Sequence, residues 1–517
     1  MEVELKLLVD AQYRDALLHH PLLNPENATP PREQKQFDTY FDTPDQRLHR
    51  RHIDLRVRRA QNRWLQTVKG DGHASNAGAG AGGLHRRDKW EWPVAGPTPE
   101  LGRLKNIIDD KQVLHQLSSG PALKKRLAPV FATRVTRTVW QVPLADGGLV
   151  ECALDLGAIE SGGKDAPISE LELELKAGDV GQLFDLALGL QQDVPLHLGN
   201  RSNAERGYAL LASAQDQPVK ASAPALSPQM TAEQAFLAIV SNCLAHMQGN
   251  EQGVAEGRDV EGLHQMRVGM RRLRSALGMY QELITLPADL QAELDWLAGE
   301  LGEARDWDVL STSTLPAVAK KSLDGADLAG VQQLAAEQAQ EHRQRTAAAV
   351  VSPRYTRLML NISRWLWTRG WRAGGTAPAA NDKLLRPVGK FARTIVERNH
   401  ARLRKRATGL RGATPAARHR LRIAAKKSRY AAEFFAALFS AGSGRRYVQG
   451  LSRLQDELGL LNDYAVAARL LPGLAEAHPE LDGSIGFVRG VLAAQADSAA
   501  KDIVKSWKAF APVAVPH

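Results

Sequence analysis

Glu2, Glu4 and Lys6 alternate with Val3 and Leu5 at the start of this chain. Successive side chains on a β-strand face opposite ways, so two carboxylates and an ammonium share one face. Such a face makes a poor core and a good wall for a site that holds cations and a polyanion. The pattern returns as Glu170, Glu172, Glu174 and Lys176, separated by leucines. Between the two runs, Arg56 and Arg58 share a strand face, Lys69 ends the next strand, and Arg87, Glu91, Arg134, Glu151 and Asp155 follow on others. Carboxylate oxygens are the ligands that Mg²⁺ or Mn²⁺ prefers, and Arg and Lys hold phosphate oxygens. A solvated strand also alternates. Here, though, the signs are segregated, one strand opening on carboxylates and another carrying only Arg. That points to a metal–polyphosphate complex, without which the like charges of a shared lumen would repel.

The elements that must position these residues are short alternating runs: Glu2–Val9, Gln36–Phe41, Ile53–Arg59, Trp64–Lys69, Lys89–Val94, Phe131–Val142, Leu149–Leu156 and Ile168–Leu175. Turn signals such as Asp42-Thr43-Pro44-Asp45, Asp146-Gly147-Gly148 and Ser161-Gly162-Gly163 separate them. This spacing predicts an antiparallel sheet closed into a barrel with a charged interior. The Gly- and Ala-rich stretch 70–83 reads as a loop.

The chain has 517 residues, too many for one ordinary core, and a formal net charge of +10. Cys152 and Cys243 are too few for a disulfide framework or a cysteine zinc site and read as buried small hydrophobes. No apolar run is long enough to cross a membrane, and no signal-peptide pattern opens the chain, so a cytoplasmic protein is expected.

Residues 213–230 form a polar, Pro-containing linker, and from Thr231 apolar residues recur at helical spacing. This half repeats itself. His264, Arg267, Arg271, Arg272 and Arg274 match His419, Arg422, Lys426, Lys427 and Arg429 position by position, 155 residues on. Leu301-Gly302…Asp306 likewise matches Leu458-Gly459…Asp463, 157 residues on. Two related helical bundles are expected. Positions i, i+3, i+7 and i+10 share one helix face, so each copy presents a basic stripe that binds phosphates by charge, whatever chain carries them. Nucleic acid is disfavoured, because base-reading elements and aromatic platforms are missing from the stripes. Trp365, Trp367 and Trp371 lie at helical spacing and read as core.

Taken in order, the N-terminal residues resemble the CYTH domain of the triphosphate tunnel metalloenzymes. The resemblance rests on Glu2-x-Glu4-x-Lys6, Tyr40-Phe41-Asp42-Thr43-Pro44, Leu55-Arg56-Val57-Arg58, Lys69, Gly83-Leu84-His85-Arg86-Arg87, Glu151 with Asp155, Glu170-x-Glu172-x-Glu174 and Arg206-Gly207-Tyr208. It covers residues 1–212 and implies an eight-stranded antiparallel tunnel. Glu2, Glu4, Glu170 and Glu172 would hold Mg²⁺ (or Mn²⁺), with Glu174 and Asp155 beside them. Lys6, Arg56, Arg58, Lys69, Arg87 and Arg134 would grip the phosphates. Glu4, Glu170 and Glu172, with Lys6, would form the catalytic group that positions water on a second metal. Two positions depart from the family's pattern: Asn203 stands where a Lys is expected, with Arg201 next door as a substitute, and Lys89 where a Glu is common. Residues 231–510 resemble a CHAD domain, through His264…Arg274, Leu301…Val309, His419…Tyr430 and Leu458…Asp463. That family is associated with binding long-chain polyphosphate, here through the ten stripe residues, while Arg305, Asp306, Asp308, Asn462 and Asp463 would order the helix junctions.

The implied fold class is a multidomain α+β chain: a β tunnel with flanking helices, then an all-α pair of bundles. The implied activity is an Mg²⁺-dependent inorganic triphosphatase, cleaving tripolyphosphate to pyrophosphate and phosphate, with a polyphosphate-binding module and an association with polyphosphate granules. The alternatives are an adenylyl cyclase or thiamine triphosphatase of the same fold, or a non-catalytic granule protein. Nothing in the sequence speaks to oligomeric state.

Overall fold

The alternating runs form nine strands in a computed structural model, which describes residues 2–26, 29–60, 63–70, 81–117, 121–144, 147–212, 217–320, 328–372 and 378–516. Residues 71–80 of the Gly/Ala-rich loop and 213–216 of the linker lie outside the described residues. The strands are β1 (Glu2–Val9), β2 (Arg32–Asp42), β3 (Ile53–Ala60), β4 (Arg63–Gly70), β5 (Leu84–Val94), β6 (Ala128–Pro143), β7 (Leu149–Ser161), β8 (Lys164–Ala177) and β9 (Leu196–Leu198). Their order is β5-β4-β3-β2-β6-β7-β8-β1-β9, all antiparallel. The first half of β1 pairs with β5, Glu2 opposite Arg87 and Leu5 opposite Leu84, which closes eight strands into the expected barrel. The second half of β1 pairs with β9 instead. Closure removes the exposed edges an open sheet would present.

The barrel is apolar outside and charged inside. On β3, Ile53, Leu55 and Val57 are buried beneath the short helices Leu104–Ile107 and Lys111–Leu117, in one cluster with Trp92, Ile108 and Val113. With period 2, Arg56 and Arg58 must then face the lumen. On β1, Leu5 and Leu7 are fully buried on the face opposite Glu4 and Lys6. Helix α1 (Val180–Asp193) follows β8; an Asp179–Gln182 capping box starts it. Helix α2 (Asn203–Ala212) anchors through Tyr208, whose hydroxyl donates to Asp42 at 2.9 Å. The Asp42 carboxylate also accepts from the backbone of Thr43, Leu48 and His49, so the Asp-Thr-Pro motif builds a turn.

The helical part comprises α3 (Ala232–Gln248), α4 (Val260–Tyr280), α5 (Ala288–Val309), α6 (Ala329–Val350), α7 (Pro353–Trp367), α8 (Val388–Arg406), α9 (Pro415–Phe434), α10 (Ala441–Ala477) and α11 (Asp482–Phe510). The chain forms two compact units: Met1–Gln217 with Val351–Ala373, and Pro218–Val350 with Gly374–His517. Helix α7 thus packs with the barrel, against α1, β9 and the segment Ala81–Gly83. It buries Trp365, and Trp367 carries the Arg86 guanidinium 4.4 Å above its ring. In the second unit α3 packs on α4 and α5 on α6, as α8 does on α9 and α10 on α11, which is the expected repeat. One cluster joins the repeats, Trp307, Ala335 and Ala339 meeting Leu471, Ile485 and Val488. Cys152 and Cys243 are free and buried, and burial pushes the Cys243 thiol up to about 12. No helix among the described residues is long and apolar enough to cross a membrane.

Candidate active site: a tunnel lined by paired charges

The barrel encloses a cavity of about 550 Å³ whose walls include Glu2, Glu4, Arg56, Arg58, Lys69, Asp155, Glu172 and Glu174. Lys6 and Arg87 line a smaller side cavity that shares Glu4, Arg56 and Glu172 with it. Glu170 lies in the wall, fully buried. Arg87 is tied to Asp54 at 2.5 Å. Strand parity therefore brings eleven of the twelve barrel residues expected to hold metal or phosphate to the lumen or its wall.

Arg134 is the exception. It is on the outer face of β6, 68% exposed, paired with Glu160 and stacked on Phe37. The lumen-facing set on β6 is Thr133, Val135, Arg137, Val139 and Gln141, so Arg137 stands in the lumen where Arg134 was expected. Both faces of this strand mix apolar and polar residues, and alternation alone does not say which one faces in.

The expected repulsion of like charges is absent, because the signs interleave across the lumen. Arg137 donates to Asp155 at 2.6 Å and to Glu172 at 2.7 Å. Lys6 lies 2.7 Å from Glu170 and 2.9 Å from Glu172. Lys69 meets Glu2 at 2.7 Å and Glu4 at 3.7 Å. Asp38, which the sequence did not flag, holds Arg58 at 2.7 Å and Arg56 at 3.0 Å. Glu174 pairs with Lys176 at 2.7 Å.

The pairings set the protonation states. Burial alone would raise Glu2, but Lys69 and Lys89 outweigh it and hold the carboxyl at about 2. Asp38 is likewise held at about 2, burial being overcome by Arg58 and Arg56. Burial would lower Lys6, yet Glu170 and Glu172 raise it, so it stays an ammonium. Against its own burial, Glu172 is driven well below the carboxylate range by Lys6 and Arg137. Asp155 moves the other way, because burial and the neighbouring Glu172 and Glu170 prevail over Arg137.

The donor set suits a hard divalent cation. Ligand oxygens of Asp155, Glu170 and Glu172 all lie within 4.8 Å of one another. Glu170 Oε2 is buried without a hydrogen-bond donor among the described residues, the Arg206 guanidinium standing 3.6 Å away. A buried carboxylate oxygen is costly without a partner, and a metal ion would satisfy it.

The two departures from the family pattern offset each other. Asn203 reaches the lumen and donates to Glu170 at 2.7 Å, so a neutral amide stands where a cation was expected. The Arg206 guanidinium also lies 3.6 Å from Glu170. Lys89 turns into the same lumen and pairs with Glu2 at 3.1 Å. One cation is lost and one gained.

In the second unit the stripes of α4 and α9 divide. His264, Arg267, Arg271, Arg422 and Lys426 converge with Arg305 of α5 and repel one another. Burial first, then Arg271, Arg422 and Arg267, bring the Lys426 ammonium down to about 6. Burial, Arg305 and Arg271 likewise hold His264 at about 4. Arg305, expected only to order a helix junction, belongs to this cluster. Arg272 does not: it is buried, donates to Ser222 O and Asn242, and lies over Phe434, so it holds the bundle together. Arg274 and Arg429 are paired on their own flanks with Asp295 and Glu433. His419 and Lys427 are exposed. Asp308 pairs with Arg343 of α6.

Comparison with known proteins adds three findings. Residues 1–208 match the family model of the CYTH domain, and residues 238–472 that of the CHAD domain. An inorganic triphosphatase of Haemophilus influenzae is 33% identical over 174 residues, which are 34% of this chain and 45% of that protein, so the match spans under half of the relative. The crystal structure of the CHAD domain from Ricinus communis is 40% identical and covers 59% of this chain and 99% of its own, with a TM-score of 0.53.

Proposed function

This chain joins a CYTH domain, residues 1–208, to a CHAD domain, residues 238–472, and from that premise we infer that it is a metal-dependent inorganic triphosphatase with a polyphosphate-binding helical half. The single observation that carries the reading is the lumen itself. One cavity of about 550 Å³ holds the carboxylates a divalent cation needs and the guanidinium and ammonium groups a triphosphate needs.

Arg56, Arg58, Lys69 and Arg137 would take the phosphate oxygens, and Arg can do so with two parallel bonds. Lys6 remains charged and acts as an electrostatic clamp rather than an acid. Asp155, Glu170 and Glu172 would hold Mg²⁺ or Mn²⁺, which supplies charge neutralisation and an acidified water in phosphoryl transfer. The wall groups are held by their ion pairs before substrate arrives, and a bound triphosphate would exchange carboxylate partners for phosphate oxygens. Among the described lining residues, apolar surface is confined to a few scattered positions such as Tyr40, Val135 and Val139. No slot for an adenine or thiazolium is built from them, which favours a bare triphosphate over ATP or thiamine triphosphate.

Phosphate release from tripolyphosphate, ATP and thiamine triphosphate, each with Mg²⁺ and with Mn²⁺, tests the reading. Tripolyphosphate is expected to turn over fastest, and Glu172→Ala to lose at least a hundredfold of that rate. Binding without turnover on every substrate would leave a non-catalytic granule protein instead. For the helical half, the cluster of His264, Arg267, Arg271, Arg305, Arg422 and Lys426 supports polyphosphate binding. Retention on long-chain polyphosphate, weakened in Arg267→Ala, is its check.

A further inference from the structure

Two adjoining cavities lie beside the basic cluster of the second unit, one walled by α9, α10 and α11, the other by α11, Arg418 and residues 410–412 ahead of α9. The first, of about 370 Å³, has apolar walls from Leu458, Leu461, Ala465, Leu492 and Ala493, and a rim of Arg418, His419, Arg422 and Arg489. The second, of about 400 Å³, is lined by Arg411, Lys501, Lys505 and Lys508, and shares Arg418 with the first. Among the described residues no carboxylate lines either cavity. Lys505 does pair with Asp502 outside the lining, an exposed pair of adjacent helical turns. Arg422 Nε is buried without a hydrogen-bond partner.

An inorganic polyphosphate has no use for apolar walls, and a purely apolar ligand has no use for a cationic annex. Volumes of this size suit a small molecule. The tails of a diacyl lipid would far exceed the apolar chamber. Tyr464 and Asn462 also line it, an aromatic ring and an amide of the kind that receive a heteroaromatic base. We propose that the paired cavities form a nucleotide site, the base lying against the apolar walls and the phosphates reaching across Arg418 into the lysine-lined chamber. The site is separate from the tunnel and does not depend on the triphosphatase reading.

The test is photolabelling of the full chain with 8-azido-ATP, which reacts at the base, followed by mass-spectrometric mapping. Label is expected in residues 458–468 and 489–496, competed at least tenfold better by ATP than by tripolyphosphate. Ala493 is exposed on the cavity wall, so Ala493→Phe fills the chamber without disturbing a core and should cut that label at least tenfold. Label confined to residues 1–217, equal competition by tripolyphosphate, or capture on phosphatidic-acid vesicles with no label in the helical half would each overturn the proposal. Phosphate release from tripolyphosphate, measured on the same samples, reports on the tunnel separately.

Discussion

Asp38 grips Arg58 through both carboxylate oxygens, Nε to Oδ1 at 2.7 Å and Nη2 to Oδ2 at 2.9 Å, so the guanidinium edge that would face a phosphate is already taken. Asp38 also holds Arg56. A triphosphate must therefore compete with an internal carboxylate for the same two cations. Asp38→Asn removes the competitor and leaves two largely buried guanidiniums short of charge. Breaking a buried pair costs about 3–5 kcal/mol, less where water reaches. The expected outcome is a lower melting temperature without ligand, a larger rise on adding tripolyphosphate, and a KM reduced severalfold. Thermal denaturation and initial rates check it, and an unchanged KM would count against Arg56 and Arg58 as phosphate ligands.

Substrate and metal should bind together. Each cation drawn from Glu2, Asp155 or Glu172 to a phosphate takes a partner from a buried carboxylate, and a divalent cation restores the balance. Calorimetric titration of Glu4→Gln with tripolyphosphate, chosen to slow turnover, should show binding at least tenfold weaker in EDTA than in Mg²⁺. Equal affinity in the two buffers would mean that the cations are free to bind anion without the exchange described here.

In the helical half, Lys426 faces Arg267 and Arg271 from α4, Arg422 on its own helix and Asp463 from α10. Its folded value of about 6 lies far below the 10.5 of an ordinary lysine. Between those values the unfolded chain binds the extra proton, so stability rises with pH across that window and the penalty is complete below about 6. A bound polyanion reverses the sign by favouring the ammonium. Polyphosphate binding at pH 8 should thus take up about one proton, seen as a dependence of the calorimetric heat on buffer ionisation enthalpy. Lys426→Met should abolish the uptake while keeping the fold.

Residues 1–217 are not the whole of the barrel unit, since α7 buries Leu358, Met359, Ile362 and Leu366 within it. Losing even one large buried side chain such as Trp365 costs about 3–5 kcal/mol. For a unit of this size that lowers the melting temperature by roughly 10 °C. The isolated fragment 1–217 is expected to melt at least that far below the same unit in the full chain, or to precipitate. A fragment as stable as the full chain would show that α7 is dispensable.

Much of the site was legible in one dimension. Period-2 alternation placed Glu2, Glu4 and Lys6 on one face and Arg56 and Arg58 on another, and the barrel closes with those faces inward. The repeated His–Arg pattern located α4 and α9 and their shared stripe. These are local properties, because strand and helix periods are set by the backbone of the residue and its near neighbours.

What the chain by itself determined, then, is which side chains travel together; which ones meet was decided only by the tertiary structure. Lys6 and Glu170 are 164 positions apart in sequence yet 2.7 Å apart in space. The choice of Arg137 over Arg134 depended on which face of β6 the closed barrel turned inward. Arg272 looked like a member of the stripe until the packing of α3 and α9 around it buried its guanidinium. Helix α7 carries an ordinary amphipathic pattern, and its docking on β9 and α1 leaves no mark in its own residues. The physical reason is common to all four. Contacts between distant segments depend on register and docking, and those are fixed by the free energy of the whole assembled core rather than by any single element's period.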